Sequence, residues 1–87
     1  MSSTSLAVLH ANATPVFADV DPRTWQIDPR SIEANITEKT RGIITVALYG
    51  LSPQMAPIMD IATRKSLFVI EDNAEAFLST CDGRIAG

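Results

Sequence analysis

Apolar residues in this chain fall in short runs separated by polar breaks, and the runs alternate between strand-like and helix-like spacing. Pro15-Val16-Phe17-Ala18-Asp19-Val20, Ile43-Ile44-Thr45-Val46-Ala47 and Leu67-Phe68-Val69-Ile70 are compact and rich in β-prone residues. The last two are continuously apolar enough to predict strands buried on both faces, as in a parallel sheet. Pro15 takes the first position of its strand, where a missing N–H is tolerated, and Asp21-Pro22 ends it. Thr4 to Ala11 reads as the end of a helix with Leu6, Leu9 and His10 on one face. Asn12 stops it, since Asn tolerates the left-handed conformation. Asp28-Pro29 starts a second helix, with Asp as N-cap and Pro at the first helical position. Ile27 and Ile32 form a hydrophobic staple there, and Ile32 and Ile36 face the core. A third helix starts near Ala56 or Pro57 and turns Met55, Ile58, Met59 and Ala62 toward the sheet, with Arg64 and Lys65 at its dipole-favoured end. Trp25 is expected to pack beneath the second helix. Leu78 to Cys81, the turn Asp82-Gly83 and Arg84-Ile85-Ala86 read as a hairpin.

In order, these elements are helix, strand, helix, strand, helix, strand and hairpin. They predict an α/β fold: a three-stranded parallel sheet with right-handed crossover helices, ending in a short hairpin. Strands of this kind need cover on both faces, and two helices plus a helix end do not supply it. An exposed apolar face or an unpaired sheet edge is therefore expected. Such a face belongs to part of a bigger domain, or to a chain that completes itself by forming a homo-oligomer.

Composition narrows the partners. At 87 residues the chain holds one small domain, spanning 1–87, and an apolar content of 46% is enough for a core. A net charge of −3 and scattered Lys and Arg speak against nucleic acid. No apolar run approaches a membrane span, and the N-terminus lacks the basic start of a secretory signal. Cys81 is the single cysteine, so no internal disulfide forms and a cytoplasmic setting is expected. The sequons Asn12-Ala13-Thr14 and Asn35-Ile36-Thr37 are then chance matches.

The chemistry concentrates where the last apolar run ends in Glu71-Asp72, with Glu75 three residues on. Ligands of open α/β sheets collect beyond the carboxyl ends of the strands, and Asp72 is placed there. A carboxylate at that edge can hold a proton-bearing ring nitrogen by a charge-assisted hydrogen bond. The structural alternative is a capping box, with Asp72 as N-cap and Glu75 reaching back. The two readings are compatible, because a carboxylate has two oxygens. Gly50 allows a turn with positive φ at the same edge, where Tyr49 offers a phenol, although a packed core tyrosine is the favoured role. His10 reads as a helix-end histidine and the Met stripe as core.

Ala13-Thr14-Pro15-Val16-Phe17-Ala18-Asp19-Val20-Asp21 resembles the ATPVFVDVD segment of the DegT/DnrJ/EryC1/StrS family of PLP-dependent sugar aminotransferases. Ile27-Asp28-Pro29, Val46-Ala47-Leu48-Tyr49-Gly50, Phe68 to Ala76, and Asp82-Gly83-Arg84 leading to Gly87 follow in the family's order. Together they cover nearly the whole chain. Glu75-Ala76-Phe77 is most similar to the perosamine synthase branch, which aminates a GDP-linked 4-keto-6-deoxy sugar. The resemblance implies part of the large domain of the type I PLP-dependent transferase fold, a dimer with active sites near the subunit interface, a nucleotide-sugar substrate and glutamate as amino donor. It places Asp72 against the pyridinium nitrogen of pyridoxal 5′-phosphate, Glu75 near the phenolic oxygen and the small Ala74 near the ring. Ala47 stands where many relatives carry His.

The resemblance also has gaps. The family's cofactor-binding lysine lies beyond Gly87, and neither Lys39 nor Lys65 matches it. The phosphate-binding glycine segment lies upstream, Met1 falls near the stacking aromatic, and the small C-terminal domain is not matched. No catalytic residue is therefore assigned. Weak or no cofactor binding and no aminotransferase activity are expected of these 87 residues. Three alternatives stand beside this reading: a non-catalytic α/β interaction or oligomerisation module from a truncated gene, a segment of a PLP-dependent sugar dehydratase, and a small ligand binder using the Asp72 edge.

Overall fold

The computed structural model describes residues 2–87; Met1, aligned with the stacking aromatic, lies outside them. Helix α1 (Ser3–His10) is followed by an extended segment, helix α2 (Pro29–Asn35), strand β1 (Gly42–Val46), a single 3₁₀ turn (Leu48–Gly50) and helix α3 (Met55–Lys65). Strand β2 (Phe68–Asp72) and the hairpin strands β3 (Thr80–Cys81) and β4 (Arg84–Ile85) complete the order. Strands β1 and β2 pair in parallel, from Gly42 opposite Phe68 to Val46 opposite Asp72, with α3 as the crossover between them. The α/β architecture and the parallel sheet match the expectation.

Local chemistry sets the element ends. The Asp28 side chain accepts from the Arg30 N–H at 2.8 Å, and Pro29 occupies the first turn of α2. Asn12 adopts φ 56° after α1, as a left-handed stop requires. Ser66 (φ 55°) ends α3, and the next N–H, from Leu67, returns to the Ala62 carbonyl at 2.8 Å. Asp82 and Gly83 both have positive φ, the pairing demanded by a tight two-residue hairpin turn. The core gathers Ile32 from α2, Ile43 from β1 and Ile58, Ile61 and Ala62 from α3. Ile27, Ile36, Met55, Leu67 and Val69 pack around it.

Several expectations are corrected. Residues 15–20 form no strand, so two parallel strands are present where three were expected. A strand needs a ladder partner, and among the described residues this segment makes one isolated bridge, Val20 to Ile27. It is held instead by the Asp19 N–H donating to Ser31 Oγ and the Asp28 N–H donating to the Asp19 carbonyl. Strand β2 is not buried on both faces: Val69 turns inward while Phe68 and Ile70 stand exposed, giving the apolar face expected of incomplete cover. In α3, Ile61 takes the buried place assigned to Met59, which is exposed. Leu6 and Leu9 of α1 are also exposed. Trp25 is 66% exposed with φ 62°, so it does not pack beneath α2.

Two Asp-Pro-Arg segments, Asp21 to Arg23 and Asp28 to Arg30, fold into the same local clamp. In each, the Arg N–H and guanidinium both donate to the Asp carboxylate. The guanidinium bond is the larger cause and the backbone bond the second; together they hold both carboxyls below their ordinary value of 3.8. A carboxyl with a depressed folded-state pKa stabilises the fold above its unfolded pKa and loses that contribution as pH falls through the folded value. The midpoint of thermal unfolding is therefore expected to hold steady from neutral pH down to about pH 5 and to fall below about pH 4. Asp28→Asn keeps an acceptor for the Arg30 N–H but removes the titrating group, and should flatten that decline. An equally steep decline in the variant would exclude Asp28 as its source.

Candidate functional site

Parallel pairing brings the carboxyl ends of β1 and β2 to one rim, where the chemistry-bearing side chains collect. Asp72 is the last residue of β2 rather than a residue beyond it, and its carbonyl accepts from the Ala47 N–H at 3.0 Å. Its Oδ1 accepts from the Ala74 N–H at 3.2 Å, which fixes the carboxylate against the following turn. No helix follows, so the expected capping box does not form. Ala74-Glu75 and Phe77-Leu78 are turns, and Glu75 reaches across to the other loop instead.

Glu75 Oε2 accepts from the Tyr49 N–H at 3.1 Å. Tyr49 sits in the left-handed region (φ 54°, ψ 31°), followed by Gly50 at φ 83°. Its side chain is 86% exposed, so it is not the packed core tyrosine expected from the sequence. The phenol is carried outward because the turn holds Tyr49 in the left-handed region. Glu71 Oε2 accepts from the Gly87 N–H at 2.9 Å, tying the far end of the hairpin to the same strand.

A shallow groove opens between α1 and the exposed face of the sheet. Ser3, Thr4 and Ala7 line one wall, and Ile44, Ile70, Glu71 and Asp72 the other. The Thr4 Oγ1 is buried with no hydrogen-bond partner among the described residues, an arrangement that ordinarily carries a cost. The groove thus combines an apolar floor, a carboxylate at its rim and an unmatched hydroxyl. Those features suit a planar ligand with a proton-bearing nitrogen. Both lysines are elsewhere: Lys39 follows α2 and Lys65 ends α3, each just before a strand begins. The length of β2 places that end roughly 13 Å from Asp72. Lys65 lies with Glu38 and Arg41 in a separate cleft. Among the described residues no cluster of His, Cys, Asp and Glu is arranged to hold a metal, and no helix is long and apolar enough to cross a membrane.

Reading the sequence did not single out Gln26. Its side chain is buried, with the residue only 4% exposed, and its amide is bound to the backbone after β1. In one orientation it exchanges hydrogen bonds with Leu48, at 3.3 and 3.4 Å. Rotated by half a turn, it donates to the carbonyls of Leu51 at 3.1 Å and Val46 at 3.2 Å, the shorter pair. Either way it anchors the turn that presents Tyr49. A glutamine in a short polar link carries no sequence signal for this role, because its partners are 22 residues away.

Comparison with known proteins places this rim in a context. Residues 1–87 match the model of the DegT/DnrJ/EryC1/StrS aminotransferase family. The chain is 46% identical over 85 residues to a pleiotropic regulatory protein of Geobacillus stearothermophilus, covering 98% of this chain and 23% of that one. It is 46% identical over 81 residues to GDP-perosamine synthase of Escherichia coli O157:H7, covering 93% and 22%. The solved aminotransferase from Psychrobacter cryohalolentis superimposes with a TM-score of 0.97 at 44% identity, over 100% of this chain and 22% of that one. A solved GDP-4-keto-6-deoxymannose-3-dehydratase, with a trapped PLP-glutamate geminal diamine, gives 0.90 at 29% identity, over 99% and 22%. The chain thus spans between a fifth and a quarter of the length of these relatives. Over all of its residues, it belongs to the DegT/DnrJ/EryC1/StrS aminotransferase family.

Proposed function

We propose that residues 1–87 are one portion of the cofactor-binding large domain of a PLP-dependent nucleotide-sugar aminotransferase, with Asp72 as the partner of the cofactor's ring nitrogen. The observation that carries this reading is the placement of Asp72. It ends a parallel strand at the rim of the α1 groove, with one carboxylate oxygen engaged by Ala74 and the other without a partner among the described residues. A bound pyridoxal 5′-phosphate would supply the electron sink, and Asp72 would keep its ring nitrogen protonated. Ala74 leaves room beside the ring, and Glu75 stands on the turn at the same edge. The substrate class is a 4-keto-6-deoxy sugar nucleotide with glutamate as donor. The likeness to GDP-perosamine synthase supports a sugar nucleotide, and that to the GDP-4-keto-6-deoxymannose-3-dehydratase with its trapped PLP-glutamate supports the keto-deoxy sugar and the donor. We further propose assembly as a homo-oligomer through the exposed apolar face, and no amino transfer by these residues alone, since no lysine reaches the Asp72 edge.

A second reading has its own support. The dehydratase likeness covers nearly the whole chain, so the segment fits a PLP-dependent sugar dehydratase with the same use of Asp72. A non-catalytic module predicts no role for Asp72 at all.

Titration with pyridoxal 5′-phosphate, followed by absorbance, separates the two cofactor-binding readings from the non-catalytic module. It is made on the chain and on the E. coli GDP-perosamine synthase with residues 1–87 grafted in place of its matching segment. Asp72→Asn is expected to weaken binding about tenfold, the scale of one charge-assisted hydrogen bond. Unchanged affinity in the graft would remove the assigned role. Borohydride reduction of the chain should label neither Lys39 nor Lys65 specifically; labelling of one would restore a catalytic reading.

A further inference from the structure

Tyr49 is a non-glycine residue held in the left-handed region, with its phenol turned to solvent. Such backbone persists only where neighbouring contacts enforce it. Two side chains from distant parts of the chain supply those contacts. Gln26 grips the backbone on either side of the turn, and Glu75 accepts the Tyr49 N–H from the loop that follows Asp72. The space beside Gly50 leads to the same loop, because a side-chain carbon built there would lie 3.9 Å from the Glu75 carbonyl.

We propose that Glu75 is a positioning residue. One of its oxygens locks the Tyr49-Gly50 turn onto the Asp72 loop, so that the two loops form a single rigid rim. The proposal rests on the Asp72 reading for its functional meaning, but the lock itself is a property of this chain. In the family reading, Glu75 belongs beside the cofactor. Here Oε2 is taken by Tyr49, and Oε1 has no partner among the described residues. The carboxylate therefore holds the turn with one oxygen and leaves the other available to a ligand at the rim. A ligand that engages Oε1 would feel the position of Tyr49, and a displaced Tyr49 would loosen the ligand.

Amide hydrogen exchange on the 87-residue chain tests the lock. In Glu75→Ala, exchange at the Tyr49 N–H should speed up about tenfold or more, the loss of one hydrogen bond to a charged acceptor. In Glu75→Gln the amide oxygen still accepts, so exchange should rise less than about threefold, consistent with a neutral acceptor. Exchange at Ile44 and Val69 in the sheet should not change in either variant. Unchanged exchange at Tyr49 in Glu75→Ala would overturn the proposal. So would acceleration of equal size in the sheet, which would mark a general loss of stability. Tyr49 is the single tyrosine, so 3-fluorotyrosine gives one resonance that reports the turn directly. Its position and width should alter in Glu75→Ala and be restored in Glu75→Gln. Adding pyridoxal 5′-phosphate to the fluorinated chain tests the Asp72 reading separately. A silent titration with an intact exchange result would leave the lock standing and count against the cofactor.

Discussion

Ile58→Ala is expected to cost about 3 kcal/mol of folding stability, within the usual range for removing a large aliphatic side chain from a core. Ile58 is 0% exposed and stands on the face of α3 that meets both Ile32 of α2 and Ile43 of β1. Its removal opens a cavity where the crossover helix joins the sheet, and a small domain has few other contacts to close it. A chain of this size has a total stability on the order of 5–10 kcal/mol, so the loss is a large fraction of the whole. The unfolding midpoint should drop by about 12–24 °C. Ile58→Val removes one methyl group and should cost about 1 kcal/mol. Far-ultraviolet circular dichroism in urea is the suitable measurement. Trp25 is a poor reporter because it is already solvent-exposed and lies outside the core. Similar midpoints for Ile58→Ala and the unaltered chain would show that α3 is not the element that holds the sheet.

The elements that the sequence reveals are those whose cause is local. Asp28-Pro29 starts α2, Asn12 ends α1 and Asp82-Gly83 turns the hairpin, in each case because a few adjacent residues satisfy the backbone. Strand β1 was legible from its continuous β-prone run, but it is not buried equally on both faces as that run suggested: Ile43 and Thr45 are buried while Ile44 and Val46 are half-buried. Residues 15–20 show the limit of that logic. Their composition favours a strand, but a strand exists only where a partner offers its backbone, and that is not written in the segment itself. The exposure of Phe68 and Ile70 follows from the same fact, since α2 and α3 pack one side of the two-stranded sheet and α1 borders the other without closing it.

At the rim, sequence order put Asp72 just past the carboxyl end of the last strand, and it is the final residue of β2, because strand direction alone decides which end of β2 it occupies. The fates of Glu75 and Tyr49 were not legible. The spacing from Asp72 to Glu75 matches a capping box, yet the chain turns before a helix can form, and the carboxylate bonds a residue 26 positions away. Aromatic character led Tyr49 and Trp25 to be assigned to packed positions, while positive φ at both carries the side chains outward. Ionic contacts reinforce the frame without defining it. Arg64 joins Asp60 on its own helix to Glu33 on α2, but all three side chains are about half exposed or more, where such pairs contribute little.

Gln26→Leu should show how much the rim depends on its frame. The substitution keeps a side chain of similar length and adds apolar surface, so the volume of the site is nearly conserved. What it removes is the amide that bonds the turn's backbone, at Leu48 in one orientation or at the Val46 and Leu51 carbonyls in the other. Leaving a buried polar partner unpaired costs about 2 kcal/mol, and the added apolar surface offsets only part of that. The unfolding midpoint is therefore expected to fall by about 8–16 °C. The local consequence separates this loss from that of Ile58→Ala. Exchange at the amides of Leu48 to Leu51 should accelerate more than exchange at Ile43 or Ile58. Combining Gln26→Leu with Glu75→Ala should free the turn from both sides, with a measured acceleration of Tyr49 exchange that differs from the product of the two single-variant accelerations, since residues sharing one backbone segment do not act independently. Equal acceleration across rim and core in Gln26→Leu alone would mean that the glutamine supports the fold at large and that the turn at Tyr49 holds its shape without it.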